Sequence, residues 1–161
     1  MPGAAFGRRR QGDYRAPNLR KLLGDAKTRK IFHFARFDLG MLKRHLDVDV
    51  APVFCTKIAS KLCRTYTDRH GLKELVRDLL GIEISKQQQS SDWGARELTK
   101  EQQLYAAADV LYLHDLAARL EDMLKREGRL ALAQACFDFL PARAALDLAG
   151  WAEEDIFAHS S

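Results

Sequence analysis

The chain of 161 residues carries 26 Lys and Arg against 22 Asp and Glu, a net charge of +4, with 47% hydrophobic and 30% charged residues. This length fits one domain of about 100–200 residues, and the composition excludes a disordered, collagen-like or fibrous protein. No apolar run approaches the roughly 18 residues of a membrane span and no signal-peptide pattern is present, so we expect a cytoplasmic protein.

Positive charge is concentrated near the N-terminus. Residues 1–30 contain nine Lys and Arg and two Asp and Glu, a balance of +7, which leaves −3 for residues 31–161. Residues 1–15 show no periodicity, and we interpret them as a disordered basic leader rather than as an arm that binds phosphate. The remainder of the chain is mildly acidic, so any nucleic-acid contact is expected at a local site with a few cations.

The first part of the chain predicts two helices and two short strands. Pro17 suits the first turn of a helix that ends at Gly24, and the apolar run at 30–34 is typical of a buried strand. A second strand is expected within 48–54. The helix between the two strands has an apolar stripe that is predicted to contain Phe37, Met41 and Leu42.

The rest of the chain is predicted to be helical. Thr56 caps a helix whose solvent face contains Lys57, Lys61 and Arg64, and a further helix at 72–80 ends at Gly81. Thr99 and Gln102 form a capping box that opens a long helix. This helix ends near Gly128, and the last helical stretch, 130–149, is broken at Pro141. Two short strands are too few for a stable sheet on their own.

Three side chains stand out because of their positions. Asp38 lies at the start of a helix that follows a strand, where sites in α/β folds are commonly built. Tyr105 and Asp109 are four residues apart and project from one helical face. A carboxylate beside a phenol can hold a divalent cation and orient the water bound to it. Each position alone is equally typical of a helix cap or of a solvated helix.

These positions, together with the sequence KQQQSSDW at 86–93, resemble the RNase D branch of the DEDD 3′→5′ exonuclease superfamily, of the DEDDy type. That branch has an aspartate after a strand, a Lys-x-x-Gln-x-Ser-Asp-Trp segment and a Tyr-x-x-x-Asp helix. Further runs, at 54–60, 64–73 and 136–143, resemble the nano-RNase C group of bacterial exoribonucleases, which degrade very short RNAs to mononucleotides. The resemblance implies an α/β fold of the ribonuclease H-like (DnaQ-like exonuclease) class.

One part of the family pattern is missing. Family members begin with a strand that carries Asp-x-Glu, and no Asp-x-Glu occurs before Asp38. We therefore expect residues 16–161 to be an exonuclease domain that lacks its N-terminal strands, which explains the helix-rich pattern. A misplaced start or a truncated gene is the simplest explanation. With half of the four carboxylates absent, we expect this chain to bind metal weakly and to hydrolyse RNA poorly.

The resemblance also implies the roles of individual residues. In the complete family site two Mg²⁺ or Mn²⁺ ions are held by carboxylates, so Asp38 and Asp109 would be metal ligands and Tyr105 would orient the attacking water. Oxygen ligands suit these hard cations, and no Cys or His cluster competes for them. The side chains expected to contact the substrate are His33, Arg36, Lys57, Lys86, Gln89 and Trp93.

Some of these residues have a simpler interpretation. Two roles are open for each of two residues. Trp93 either stacks on a base or anchors a core, and His33 either contacts the substrate or is a buried histidine. The core role is the more common one for both residue types. Arg64, Arg69 and His70 form either a phosphate patch or a solvated turn.

The implied partners are short single-stranded RNA and further copies of the chain, as a homo-oligomer. An apolar C-terminal segment at 137–151 serves either as the interface or as packing within its own chain. Two functions stay open: an active 3′-5′ exoribonuclease, and an inactive remnant that binds nucleic acid or assembles with like chains.

Overall fold

The computed structural model describes the backbone of residues 17–83 and 100–159, and the side chains of 17–83 and 112–159. Two compact units divide the chain: Met1–Phe54 with Gln134–Ser161 form the first unit, and Cys55–Ala133 form the second. The predicted leader at 1–15, the segment at 86–93 and the capping residue Thr99 lie outside the described residues. No described helix is long and apolar enough to cross a membrane.

Two helices alternate with two strands at the start of the described chain: α1 (Pro17–Leu23), β1 (Lys30–Phe32), α2 (Ala35–Leu46) and β2 (Val53–Cys55). The strands pair as a small parallel sheet, and α2 is the kind of crossover that parallel strands require. The amide N–H of Lys30 donates to the carbonyl of Pro52 at 2.9 Å. The low strand count expected from the sequence is thus confirmed for the described residues.

The inward face of α2 differs from the prediction. Phe37 and Met41, expected in the apolar stripe, are 57% and 41% exposed, whereas Ala35 and Leu39 are buried. These two residues are one turn apart, so they define a narrow inward face. The rings of Phe34 and Phe37 instead stack on each other at the surface, with centroids 6.2 Å apart. The prediction is wrong because the small Ala35 gives a weak apolar signal and the large Phe37 a misleading one.

Helix α6 (Leu130–Leu146) continues into a π-helical turn, Asp147–Trp151. The predicted break at Pro141 is wrong, because α6 runs through that residue. A proline inside a helix removes a hydrogen bond and costs about 3 kcal/mol. Phe137, Leu140 and Ala144 are buried at spacings that place them on one helical face. Burial of apolar side chains on both sides of the proline offsets the lost bond.

An aromatic pair joins the two chain segments of the first unit. The rings of Phe54 and Phe137 lie 4.8 Å apart at 47°, and both side chains are buried. The guanidinium of Arg29 lies 4.8 Å from the centroid of the Phe54 ring, at a distance suited to a cation–π contact. The core of the first unit therefore depends on residues from both ends of the described chain.

The second unit contains α3 (Thr56–Cys63), α4 (Leu72–Leu75) with its π-helical continuation Val76–Leu80, and α5 (Lys100–Arg126). Helix α5 packs against α3 and against the π-helical segment. Gly81 and Gly128 follow the helices with φ of 72° and 70°, so the glycine stop signals are confirmed. Thr56 is the first residue of α3 rather than its cap, because Cys55 occupies the N-cap position.

A buried arginine connects three parts of the second unit. Arg64 was predicted to face solvent, yet its side chain is only 1% exposed. Its Nη2 donates to Asp78 Oδ2 at 2.6 Å, and its Nη1 donates to Ser60 Oγ at 3.1 Å and to the carbonyl of Arg69 at 3.0 Å. The prediction is wrong because periodicity shows where a charge falls on a helix and not whether acceptors surround it.

We expect Asp78→Ala to lower the free energy of unfolding by about 2 kcal/mol, because it leaves a buried guanidinium without its counter-charge. The matched control is Arg77→Ala, since Arg77 Nε contacts the other carboxylate oxygen at 3.2 Å from a position 37% exposed. That exposed pair should contribute less than about 0.5 kcal/mol. Urea unfolding followed by circular dichroism measures both, and equal losses would contradict the importance of Arg64.

Candidate functional site

Asp38 lies in the first turn of α2, close after the end of β1, as predicted. The N-cap residue is Phe34, which makes no side-chain capping hydrogen bond, and the amide of Asp38 donates to the carbonyl of Phe34 at 3.3 Å. A carboxylate in this position faces the positive end of the helix dipole. The helix dipole at this point favours a negative charge, whereas burial of the side chain disfavours it.

The Asp38 carboxylate is half-buried. Burial raises the pKa of this carboxyl above its usual range. Among the described residues none donates a hydrogen bond to this carboxylate or forms an ion pair with it. An oxygen donor of this kind suits a hard divalent cation, which would supply the missing positive charge.

The other predicted metal ligand and the predicted catalytic tyrosine lie on α5. The backbone is helical at both Tyr105 and Asp109, so their spacing of four residues places them on one helical face. Their side chains lie outside the described ones. Among the side chains at 17–83 and 112–159, no group of three His, Cys, Asp or Glu could hold a metal ion. Asp38 is thus the one member of the predicted ligand pair whose side chain is described.

The predicted substrate-binding residues fall into three groups. His33 and Arg36 lie beside Asp38 in the first unit, one just after β1 and the other at the second position of α2, and both are partly buried. Lys57, also partly buried, lies in the first turn of α3 in the second unit. Outside the described residues are Lys86, Gln89 and Trp93.

Arg36 is held by a carboxylate from the far end of the chain. Its Nε donates to Asp147 Oδ2 at 2.7 Å and its Nη2 donates to Oδ1 at 2.7 Å, the two parallel bonds of a bidentate pair. Nη2 also donates to the carbonyl of Ala152 at 2.9 Å. Hydrogen bonding to Arg36 holds the pKa of the Asp147 carboxyl below its usual range. These bonds tie the helix that carries Asp38 to the segment after α6.

A second arginine holds the same carboxylate. Arg143 Nε donates to Asp147 Oδ1 at 3.2 Å, and its Nη2 donates to the carbonyl of Trp151 at 2.6 Å. The binding of Asp147 by two arginines is not predicted by the sequence. The only signal was the spacing of four between Arg143 and Asp147, which is common on helix surfaces and says nothing about Arg36, 111 residues away from Asp147.

The predicted phosphate patch of the second unit loses one member, because Arg64 is buried. Arg64 Nη1 donates to Ser60 Oγ, and the same hydroxyl shares a hydrogen bond with His70 Nδ1 at 2.7 Å. Burial lowers the pKa of His70, and the nearby Arg64 adds to the effect. Arg69 remains exposed, but its carbonyl is committed to Arg64.

An apolar depression of about 320 Å³ also occurs in the first unit, lined in part by Pro52, Phe137, Asp138 and Pro141. None of the predicted site residues lines it. We therefore assign the candidate site to the surroundings of Asp38 rather than to this depression.

Known proteins resemble the chain over most of its length. A family model described as 3′-5′ exonuclease matches residues 8–125. Ribonuclease D of Gluconacetobacter diazotrophicus is 39% identical over 109 residues, which cover 68% of this chain and 28% of that protein. The chain thus spans little more than a quarter of the length of this relative.

Solved structures give closer similarity. Brucella melitensis NrnC with bound Mg²⁺ is 61% identical, with a TM-score of 0.84 over 90% of this chain and 70% of that chain. Brucella melitensis NrnC bound to pGG is 62% identical, with a TM-score of 0.86 over 92% of this chain and 72% of that chain.

Replacing Asp38 by Asn should stabilise the protein. The raised pKa means that the ionised carboxylate is less favourable in the folded than in the unfolded chain at pH 7. We expect the free energy of unfolding of Asp38→Asn to rise by about 0.5–1 kcal/mol in metal-free buffer, measured by urea unfolding. The control is Asp49→Asn, which removes an exposed carboxylate paired with Lys43 and should give no increase. A loss of stability in Asp38→Asn would contradict this reading.

Asp147 should stabilise the protein in a pH-dependent way. A carboxyl whose folded pKa is lowered contributes stability above its ordinary pKa of 3.8 and loses that contribution as the pH falls through the folded value. We expect Asp147→Asn to cost about 1–2 kcal/mol at pH 7 and progressively less below pH 3.8. Urea unfolding of both proteins between pH 7 and pH 3 measures the difference, and a constant difference would argue against the ion pair as its source.

Proposed function

Since the chain belongs to the 3′-5′ exonuclease family, of the RNase D and NrnC type, we propose that it releases nucleoside monophosphates from the 3′ ends of short RNA by metal-dependent hydrolysis. The resemblance found in the sequence, including that to nano-RNase C, is confirmed. The ribonuclease H-like α/β fold is confirmed as well, in a helix-rich form with a small parallel sheet.

The state of Asp38 is the observation that carries the proposal. A half-buried carboxylate without a partner among the described residues destabilises a fold. Its presence therefore calls for a role other than stability. Such a cost is typical of functional sites, where groups are kept in environments that suit their chemistry rather than stability. The Mg²⁺ bound in an NrnC structure 61% identical to this chain supports a divalent cation as the partner.

We assign roles on this basis. Asp38 and Asp109 would be ligands of Mg²⁺ or Mn²⁺, two ions in the complete site. Such ions activate the attacking water and stabilise the leaving oxygen of the phosphodiester. The hydroxyl of Tyr105, on the same helical face as Asp109, would orient the water by a hydrogen bond. The proposed catalytic residues are Asp38, Tyr105 and Asp109.

The substrate would be a short single-stranded RNA. NrnC has been solved with pGG, which supports a substrate of about that size for this chain. Cations and amides near the site would bind the phosphates and sugars, and Trp93 would stack on a base. The proposed binding residues are His33, Arg36, Lys57, Lys86, Gln89 and Trp93. For Arg36, the bidentate pair with Asp147 leaves fewer of its five N–H donors for RNA.

No Asp-x-Glu occurs in this sequence before Asp38. Fewer carboxylates mean less negative charge to hold two divalent ions, so we propose weak metal binding and slow hydrolysis for this chain by itself. The same observation favours a second candidate function, an inactive form that still binds nucleic acid or assembles with like chains.

The C-terminal segment supports assembly as a homo-oligomer. Of its apolar residues, Phe137 and Leu140 are buried in the chain, whereas Leu148 and Trp151 are 46% and 44% exposed. Packing within the chain thus accounts for the first half of the segment. We propose the exposed half as part of a contact between copies.

The decisive experiment compares two proteins on a two-nucleotide RNA in the presence of Mg²⁺ or Mn²⁺. One is the 161-residue chain, and the other carries in addition a family strand with Asp-x-Glu. We expect mononucleotide release from the second protein and at least 100-fold slower release from the first. Metal-ion catalysis and general acid–base catalysis accelerate hydrolysis by factors of this size, and both depend on the full set of metal ligands.

Substitutions separate the roles within the active version. Asp38→Asn and Asp109→Asn should each lower kcat by a factor of about 100 or more, and Tyr105→Phe by about 10–100. Asp138→Asn, which removes an exposed carboxylate that accepts a bond from Gln134, is the control and should leave kcat unchanged. If neither protein releases mononucleotides but both bind the RNA, the binding remnant is the correct function.

A further inference from the structure

The first turn of α2 is only partly buried. Its N-cap residue, Phe34, makes no side-chain capping hydrogen bond, and Phe34 and Phe37 are both exposed. Within the turn only Ala35 is fully buried, and a methyl group fixes little orientation. Asp38 has no partner among the described residues that would fix its carboxylate. The direction of this carboxylate is therefore set by the turn to which it belongs.

Arg36 attaches that turn to Asp147 by a bidentate ion pair. Both bonds to Asp147 are 2.7 Å long and involve Nε and Nη2 of one planar guanidinium, so they fix its orientation as well as its distance. The pair also removes an electrostatic conflict. A cation near a helix N-terminus is unfavourable because that end of the helix dipole is positive, and the Asp147 carboxylate compensates for it.

Asp147 is itself well anchored. Its carboxylate accepts a third bond, from Arg143 Nε at 3.2 Å, and it is largely buried, with a side chain 18% exposed. Arg143 further donates to the carbonyls of Trp151 and Glu154, at 2.6 and 3.4 Å. The segment that follows α6 is thus folded around two guanidiniums, and it presents Asp147 to α2 as a fixed acceptor.

We infer that Asp147 is a positioning residue for Asp38: through the bidentate bond to Arg36 it fixes the first turn of α2 and so aims the carboxylate that would bind the metal. The inference rests on the proposed role of Asp38 as a metal ligand. It gives the segment after α6 a function in the site, although that segment contributes no ligand of its own.

The test measures amide hydrogen exchange and Mn²⁺ affinity in the 161-residue chain and in Asp147→Asn. Asn keeps the size of the side chain but lacks the charge and one of the two acceptor oxygens. We expect exchange at residues 37–39 to become at least about tenfold faster while residues 42–46 keep their rates. Mn²⁺ affinity, titrated to millimolar concentration and followed by electron paramagnetic resonance, should fall by about tenfold, as for other residues that orient metal ligands.

Two controls separate positioning from general loss of stability. Asp25→Ala removes the bonds that its carboxylate accepts from the amide of Lys27 and the hydroxyl of Thr28, outside both α2 and α5, so its Mn²⁺ affinity should stay within about twofold of the unmodified chain. Asp38→Asn should abolish the strongest Mn²⁺ binding that the 161-residue chain shows. If Mn²⁺ binding to the unmodified chain does not depend on Asp38, the proposed function fails, and the exchange rates still report whether Asp147 holds the turn.

The inference is overturned by either of two results. One is exchange at 37–39 that is unchanged in Asp147→Asn, since the turn would then be held by other contacts. The other is faster exchange with unchanged Asp38-dependent Mn²⁺ affinity, since the turn would then not aim the ligand. Faster exchange with weaker affinity, against an unchanged Asp25→Ala control, supports it.

Discussion

The ion pair between Arg36 and Asp147 fixes the orientation of the two chain segments of the first unit. That unit consists of two chain segments that lie far apart in sequence, and this pair connects them across 111 positions. An apolar contact, Phe54 with Phe137, joins the same two segments inside the core. The apolar contact supplies most of the free energy through burial, whereas the ion pair fixes orientation. A site built on α2 needs both, because a metal ligand must be held in direction as well as in place.

Sequence reasoning succeeded where the signal is local. Helix starts and stops depend on the backbone preferences of single residues, and Pro17, Gly81 and Gly128 all mark helix ends in the structure as predicted. The position of Asp38 after a strand and at the start of a helix was likewise readable from residue types within about ten positions. The spacing of Tyr105 and Asp109 predicted a shared helical face, and the helix at that place is confirmed.

The failures concern groups whose role depends on distant partners. No local signal in the sequence around Arg64 predicts that Asp78, Ser60 and the Arg69 carbonyl surround its side chain. An arginine on an amphipathic helix is exposed more often than not. The same holds for Asp147, whose partner belongs to the other chain segment. Pro141 failed for a related reason, because the burial that stabilises α6 on both sides of it is a tertiary effect that overrides a local preference.

The division of the first unit into two segments has a consequence for biosynthesis. The second unit is continuous in sequence, Cys55–Ala133, so all of its residues are synthesised before the last part of the first unit. The ring of Phe54 stays uncovered until Phe137 has been synthesised and packs against it. Contacts between residues so far apart in sequence are slow to form. The N-terminal segment is therefore expected to remain an exposed apolar surface for longer than the rest, and to be the part of the nascent chain that most needs protection from aggregation.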